Sequence, residues 1–339
     1  MKTLTITRPD DFHLHVRNGD ILKIVLPHTA RQFARAIIMP NLKPPVTTVE
    51  QALVYREEIL QAIPAGMTFT PLMTLYLTAA TSVDEIQKAA ESEHVYAFKL
   101  YPAGATTNSD AGVADVTKIY PLFAALEKYD LPLLIHGEVT DEDCDIFDRE
   151  RVFIERYLVD IVKNFPALRI VLEHATTKDA VEFVESSSKK IAATITPQHL
   201  LFNRNAVLSG GIKPHYYCLP ILKRETHRLA LINAATSGNP KFFLGTDSAP
   251  HVTHLKENSC GCAGCYSAFG ALELYIQVFE DVHALDKLEG FASFYGADFY
   301  GLPRNSGLIT LEKQTWQIPD SFENITPLKA RGNLKWKII

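Results

Sequence analysis

The sequence predicts an α/β fold, a single-domain (β/α)8 barrel of the TIM type with a C-terminal tail. Eight short apolar runs recur along the 339 residues, and helix-like segments separate most of them. Such alternation is typical of a parallel sheet. An open doubly wound sheet would more often carry a glycine-rich phosphate loop after its first strand, but Arg8–Asp11 stands there instead. We place the barrel at about residues 1–302 and a tail without clear periodicity at 303–339.

The predicted strands are mostly continuous apolar runs, as expected for strands buried on both faces. They are Leu4–Thr7, Ala36–Met39, Phe69–Leu75, Ala97–Tyr101, Leu131–Ile135, Arg169–Leu172, Ile191–Thr196 and Phe242–Gly245.

Two of the predicted helices begin at sequences that resemble capping boxes. Thr47 with Glu50 predicts a helix running toward Ile63, and Ser82 with Glu85 predicts one ending at about Ser92. The other predicted helices are Val116–Tyr129, Arg149–Asn164, Lys178–Ser186, Arg224–Thr236, Ser267–Asp281 and Leu285–Tyr295.

Composition and charge exclude several classes of function. The net charge of −5 gives no electrostatic basis for binding nucleic acid or an anionic membrane. Residues 1–8 lack the apolar segment of a secretory signal, and no run reaches the roughly 18 apolar residues of a membrane span. We therefore expect a cytoplasmic protein.

Three of the five cysteines, Cys260, Cys262 and Cys265, lie within one hexapeptide. A structural zinc site is one interpretation, but a second C-x-x-C pair and a nearby fourth ligand are missing. Free thiols in a glycine-rich loop are the preferred interpretation.

Polar side chains collect where the predicted strands end, which is where barrels of this type have their active sites. His13 and His15 follow the first strand, and residues two apart in an extended segment project to the same side. Alone, this pair would be an ordinary surface or core-edge feature. Three further candidate ligands at other strand ends favour a metal site: His136, His174 and Asp247.

Imidazole and carboxylate ligands suit Zn²⁺, with Mn²⁺, Co²⁺ and Fe²⁺ as competitors. Five ligands exceed what one catalytic zinc ion needs, so two metals are expected. Lys99 lies among them, either paired with Glu138 or Glu173 or, after reaction with CO2, as an anionic carbamate that would help to balance two dications.

The stretches that carry these residues are similar to the amidohydrolase superfamily, and within it to the single-function bacterial dihydroorotase family. They are RPDDFHLHVR (8–17), MPNLKPPVTT (39–48), KLYP (99–102), HGEVT (136–140), ATITPQH (193–199) and GTDSAPH (245–251). They span nearly the whole chain in the family's order. Phe12, Asn18 and Gly104 depart from the family pattern, but none of them removes a ligand.

The resemblance implies a reversible cyclisation of N-carbamoyl-L-aspartate to (S)-dihydroorotate plus water in pyrimidine biosynthesis. Two divalent metal ions, Zn²⁺ being favoured, would share a bridging hydroxide, with Asp247 as proton shuttle. The family also implies a homodimer with a small-molecule substrate.

The resemblance also implies a role for each site residue. The more buried metal would be held by His13, His15 and Asp247, the second by His136 and His174, and N6-carboxylated Lys99 would bridge them. The substrate contacts would come from Arg17, Asn41 and His251 at the carboxylate, from the backbone near Leu219 and Ala263 at the ring, and from Thr106 and Thr107 on a closing loop.

Alternatives remain open at the sequence level. Arg17 could instead pair with Asp20, and Asn41 could be a turn residue. A hydantoinase or dihydropyrimidinase would share the metal ligands, and a non-catalytic scaffold would be expected to lose some of them. The remaining histidines are expected to be structural or exposed: His28, His94, His199, His215, His227, His254 and His283.

Overall fold

The computed structural model describes residues 2–339, and at its centre lies a nearly closed barrel of eight parallel strands. This confirms the predicted fold class. The strands are β1 (Thr3–Thr7), β2 (Asp10–Leu14), β3 (Arg35–Ile38), β4 (Thr70–Leu77), β5 (Val95–Leu100), β6 (Leu133–Ile135), β7 (Ile170–Leu172), β8 (Ile191–Ile195), β9 (Phe242–Leu244), β10 (Leu308–Glu312), β11 (Trp316–Gln317), β12 (Asn333–Leu334) and β13 (Lys337–Ile338). Strands β2 to β9 form the barrel in chain order.

Helices cover the outside of the barrel and connect its strands. They are α1 (Gly19–Gln32), α2 (Val49–Gln61), α3 (Val83–Glu91), α4 (Tyr120–Lys128), α5 (Arg149–Phe153), α6 (Val159–Asn164), α7 (Lys178–Ser186), α8 (Pro197–Leu201), α9 (Asn205–Leu208), α10 (Glu225–Thr236), α11 (Thr253–Lys256), α12 (Ala271–Asp281) and α13 (Tyr295–Tyr300). Among residues 2–339, no helix is long and apolar enough to cross a membrane.

The prediction for the first barrel strand is wrong. Leu4–Thr7 lies in β1, which pairs antiparallel with β10 outside the barrel. The barrel begins with β2, all five residues of which are buried. Because β2 contains Asp10, Asp11 and His13, it lacks the continuous apolar run that identifies the other seven strands.

Several helix predictions also need correction. Helix α1, which contains Pro27, was not predicted. The capping box of α2 is formed by Thr48 and Gln51, one residue beyond the predicted pair, whereas Ser82 caps α3 as predicted. The predicted helix Leu285–Tyr295 is a 3₁₀ turn at 285–287 followed by a π turn at 290–294 that leads into α13.

The barrel is closed by backbone hydrogen bonds between the end of β2 and the residues that follow β9. The N–H of Asp247 donates to the carbonyl of His13 at 2.9 Å, and the N–H of His15 donates to the carbonyl of Ser248 at 3.1 Å. Three of the predicted metal ligands are therefore fixed by the seam that closes the barrel.

The inside of the barrel is apolar over part of its length and polar at the carboxyl ends of the strands. Ala97 and Leu134 belong to a buried apolar cluster that Phe12 and Tyr300 complete. Since side chains alternate along a strand, residues two positions later also face inward. Lys99 stands two positions after Ala97, His136 two after Leu134, and Glu173 two after Val171, another member of the cluster. All three side chains are buried.

The segment after Leu302 is more regular than the sequence indicates, because it contributes the four short strands β10 to β13. Strand β10 lies between β1 and β13. Trp336 is fully buried within this segment, and its indole N–H donates to Glu280 Oε2 at 2.9 Å. The tail is thus part of the folded core.

Replacing Trp336 with alanine should lower the free energy of unfolding by about 3–5 kcal/mol, because a buried indole is lost and a cavity remains. Chemical denaturation followed by circular dichroism would measure this change. Lys335→Ala is the control, because the neighbouring Lys335 side chain is half exposed. A change below about 1 kcal/mol would contradict a structural role for the tail.

Candidate metal centre and substrate site

Three predicted ligands converge at the seam of the barrel. His13 Nε2 lies 3.3 Å from His15 Nε2, and Asp247 Oδ1 lies 3.3 Å from the first and 3.1 Å from the second. A tetrahedral zinc ion with bonds of about 2.0–2.1 Å holds neighbouring ligand atoms about 3.3 Å apart. The spacing of these three atoms therefore fits one face of a zinc coordination tetrahedron.

The electrostatics of this triangle favour a cation. Burial lowers the pKa of His13, but attraction to Glu173 and Asp247 outweighs it and raises that pKa to about 9. Burial alone would raise the pKa of Asp247, yet the contacts with His13 and His15 hold it well below the usual value. The carboxylates thus stabilise positive charge here, and a metal ion can supply that charge in place of a proton.

His136 and His174 lie beside the triangle. Their ring centroids are 4.7 Å apart, and the ring of His174 is 5.0 Å from that of His13. Burial lowers the pKa of His174 well below its usual value, so its imidazole is neutral, the form that binds metal. His174 Nδ1 is buried without a hydrogen-bond partner.

Lys99 is fully buried below these histidines, and its ammonium pairs with Glu173 Oε2. This is one of the two arrangements left open by the sequence. Burial lowers the pKa of Lys99, although Glu173 opposes the shift. A neutral amine is the form that reacts with CO2. This environment is therefore compatible with carboxylation of Lys99, provided that metal cations replace its ammonium in neutralising the charge of Glu173.

Acidic residues that were not predicted as site residues orient the histidines. Glu138 Oε2 lies 2.8 Å from His136 Nε2, which leaves Nδ1 of that ring to bind a metal. Glu173 Oε1 lies 3.1 Å from His13 Nδ1. Asp11 accepts from the backbone N–H groups of His13 and Thr246, next to Asp247. Each acid lies within two positions of a candidate ligand in the sequence. That proximity is the signal by which the sequence could have identified these three acids as site residues.

The backbone is strained at several site residues. Arg17, His174 and Asp247 have positive φ angles of 58°, 43° and 45°, a region that residues other than glycine seldom adopt. Such strain of about 1–3 kcal/mol per residue persists where the surroundings enforce it and is concentrated at functional sites.

Arg17 is 8% exposed and has no acidic partner within 4 Å among residues 2–339. The alternative pairing with Asp20 is not observed, since Asp20 contacts Lys23. Instead the guanidinium lies 3.2 Å from His251 Nε2, whose pKa burial lowers to about 2. A buried cation without a counter-charge is costly, and it marks a place for an anion.

Asn41 joins the candidate ligands to a loop that covers them. Its Oδ1 lies 2.9 Å from His15 Nδ1, and its Nδ2 donates to the carbonyl of Thr107 at 3.2 Å. The hydroxyl of Thr107 donates to the carbonyl of Ala263 at 3.2 Å. The loop of residues 103–112 is therefore closed over the site in this structure.

Apart from Lys99 and His251, all of the predicted site residues line one cavity. His251 adjoins the cavity through Arg17 and Ala263, since its Nε2 also lies 3.0 Å from the Ala263 carbonyl. Sequence reasoning missed Tyr101, Ala249 and Gly264, which also line the cavity.

The other histidines and the cysteines lie outside this constellation. His199 is buried between Thr196 and the carbonyl of Pro220, and His215 lies 2.8 Å from Glu257. All five cysteines are free. Within residues 2–339, the groups able to hold a metal contain no cysteine.

Comparison with known proteins agrees with this architecture. The amidohydrolase family model matches residues 8–327. A dihydroorotase from Acaryochloris marina is 65% identical, covering 100% of this chain and 99% of its own, and one from Picosynechococcus is 67% identical, covering 99% of both. A crystal structure of dihydroorotase with 5-fluoroorotic acid from Saccharomyces cerevisiae has a TM-score of 0.92 at 34% identity, covering 100% and 99%.

The chain therefore belongs to the amidohydrolase family. Within that family, these two highly identical relatives, which it matches over nearly its whole length, are dihydroorotases.

Replacing Glu138 with glutamine should weaken metal binding about 10–100-fold, because the carboxylate that orients His136 loses its charge. Competition with a chelator would measure the affinity, and the exposed Glu142→Gln is the matched control. An unchanged affinity would show that Glu138 does not orient a metal ligand.

Proposed function

We propose that this chain is a dihydroorotase, which interconverts N-carbamoyl-L-aspartate and (S)-dihydroorotate plus water. Identity of 65% over the full chain to a relative of that name supports this. The observation that carries the proposal is the buried, unpaired guanidinium of Arg17 beside the candidate metal centre. Dihydroorotate is a cyclic amide with a carboxylate, so it matches both features.

The metal centre would comprise two sites. His13, His15 and Asp247 would hold one divalent ion, and His136 and His174 the other, with carboxylated Lys99 between them. Zn²⁺ suits these donors best. When bound, such ions lower the pKa of water and polarise a carbonyl group.

Asp247 would move the proton in the reaction. In the hydrolytic direction its carboxylate takes a proton from the attacking water and delivers it to the departing ring nitrogen. The contacts of Asp247 Oδ1 with His13 and His15 support this role, since they would put the carboxylate beside the metal and its bound water. The depressed pKa of Asp247 keeps its carboxylate ionised, which is the form a general base must have.

The substrate carboxylate would be bound by Arg17, Asn41 and His251. A guanidinium offers a planar pair of donors that matches a carboxylate. Asn41 contributes an amide, and His251 lies directly beside the guanidinium. The backbone at Leu219 and Ala263 would fix the ring, and Thr106 and Thr107 would exclude water when their loop closes.

The family resemblance further favours a cytoplasmic homodimer. Analytical ultracentrifugation would measure the mass of the assembly.

Ring opening of dihydroorotate by the metal-loaded protein tests the proposal. Dihydrouracil has the same cyclic amide but no carboxylate, so its kcat/KM should be at least about a hundredfold lower. Comparable turnover of both compounds would favour a dihydropyrimidinase, and no turnover of either would favour a non-catalytic homologue.

Replacing Arg17 with methionine should raise KM for dihydroorotate at least about tenfold, because a buried charged partner of the carboxylate is removed. Steady-state kinetics would measure the change, with Arg56→Met on the outer helix α2 as control. An unchanged KM would exclude Arg17 from carboxylate binding.

Replacing Lys99 with alanine should remove bound metal and activity, since the bridging anion is lost. Added acetate or propionate should restore part of both, because a small carboxylate can occupy the vacated space. Metal content and turnover would be measured together, with the exposed Lys118→Ala as control. Full metal content in the unsupplemented variant would contradict the bridging role.

A further inference from the structure

Lys256, at the end of α11, is a second buried cation near the substrate site, in addition to Arg17. It belongs neither to the candidate metal ligands nor to the proposed substrate contacts. It is 4% exposed, and its ammonium has no acidic partner within 4 Å among the residues described. Its three donors instead meet backbone carbonyls. Lys256 Nζ donates to Tyr217 at 3.2 Å, Cys262 at 2.8 Å and Gly264 at 2.7 Å.

These carbonyls belong to the two segments that would touch the substrate ring. Tyr217 stands two residues before Leu219, and Cys262 and Gly264 flank Ala263. The N–H of Gly264 also donates to the carbonyl of Tyr217 at 3.0 Å. One ammonium thus joins both segments.

The loop before α12 curls around this ammonium. Gly261 and Gly264 have positive φ angles of 55° and 149°, which permit the tight bends. A Cβ at Gly264 would lie 2.6 Å from the carbonyl oxygen of Ala249, so the loop has no space for another residue type there. The glycines of the cysteine-rich hexapeptide therefore allow its backbone to wrap Lys256.

Holding the carbonyls on both sides of Ala263 leaves the Ala263 carbonyl facing the site. There it lies 3.0 Å from His251 Nε2 and accepts from the hydroxyl of Thr107 at 3.2 Å. His251 in turn contacts Arg17. The same carbonyl is thus the contact point for the closing loop and for a residue at the carboxylate site.

We propose that Lys256 is a positioning residue for substrate binding and loop closure. Its ammonium fixes the backbone at Ala263, and this backbone orients His251 and receives Thr107. The kinetic part of this inference rests on the proposed function, whereas the effect on the loop does not.

The test replaces Lys256 with methionine, which keeps most of the unbranched side chain and removes its donors. Lys241→Met is a matched control, because Lys241 Nζ also donates to three carbonyls, those of Val184, Glu185 and Ser187. Lys241 lies just before β9, at the end of the barrel opposite the site. Both variants lose the same chemistry, but only one loses it near Ala263.

Lys256→Met should raise KM for dihydroorotate at least about tenfold with a smaller change in kcat, since charged hydrogen bonds of this kind are strong. Backbone hydrogen exchange of residues 103–112 should accelerate by a similar factor, and metal content should stay at the wild-type level. Lys241→Met should change neither KM nor the exchange of that loop. Lys256→Arg, which keeps a donating cation, should recover part of the loss.

Unchanged KM and loop exchange in Lys256→Met would overturn the proposal, as would an equal effect of Lys241→Met. If Lys256→Met fails to fold, Lys256→Gln, which is shorter and uncharged, decides: altered loop exchange and KM at wild-type metal content support a positioning role, and wild-type values for both overturn it. The exchange measurement needs no substrate. It therefore remains decisive even if the wild-type protein does not open dihydroorotate, a result that would defeat only the proposed function.

Discussion

The pair of backbone hydrogen bonds that closes the barrel between β2 and β9 is the constraint on which the site depends. These bonds involve the backbone of His13, His15 and Asp247. The contacts that close the sheet therefore also bring these three candidate ligands together. The side chains then lie 3.1–3.3 Å apart, and Asp11 reinforces the seam through Thr246. Lys99, His136 and His174 come from neighbouring strand ends and complete the group.

This arrangement costs stability. Ionisable groups are buried around the seam with incomplete compensation, and Arg17, His174 and Asp247 have positive φ angles. Buried charges lacking partners are strongly destabilising, so the rest of the barrel must supply the energy that holds them. Cations at the histidines and an anionic substrate at Arg17 would each relieve part of that cost, which is why the ligands inferred for the site have those charges.

Much of the fold and of the site could be predicted from sequence, for identifiable reasons. Seven barrel strands are mostly continuous apolar runs, and Lys99, His136, His174 and Asp247 stand at or near the ends of four of them. Strand β2 was not predicted because its two aspartates and its histidine interrupt the apolar pattern. Helix α1 was not predicted either, and it contains Pro27, a residue that disfavours helix interiors. Strands β11 to β13 are two residues long, too short to leave a periodic signal. The contacts of Lys256 depend on loop geometry, which no spacing of residues reveals.

The central claim is that the seam and the carboxyl ends of β5, β6 and β7 form a two-metal centre. Metal analysis of the purified protein, loaded with Zn²⁺ and freed of loosely bound ions, tests this most directly. The account predicts two tightly bound divalent ions per chain, with one lost when His136 and His174 are replaced together. A wild-type content of one ion or none, or a double variant that keeps both, would contradict it.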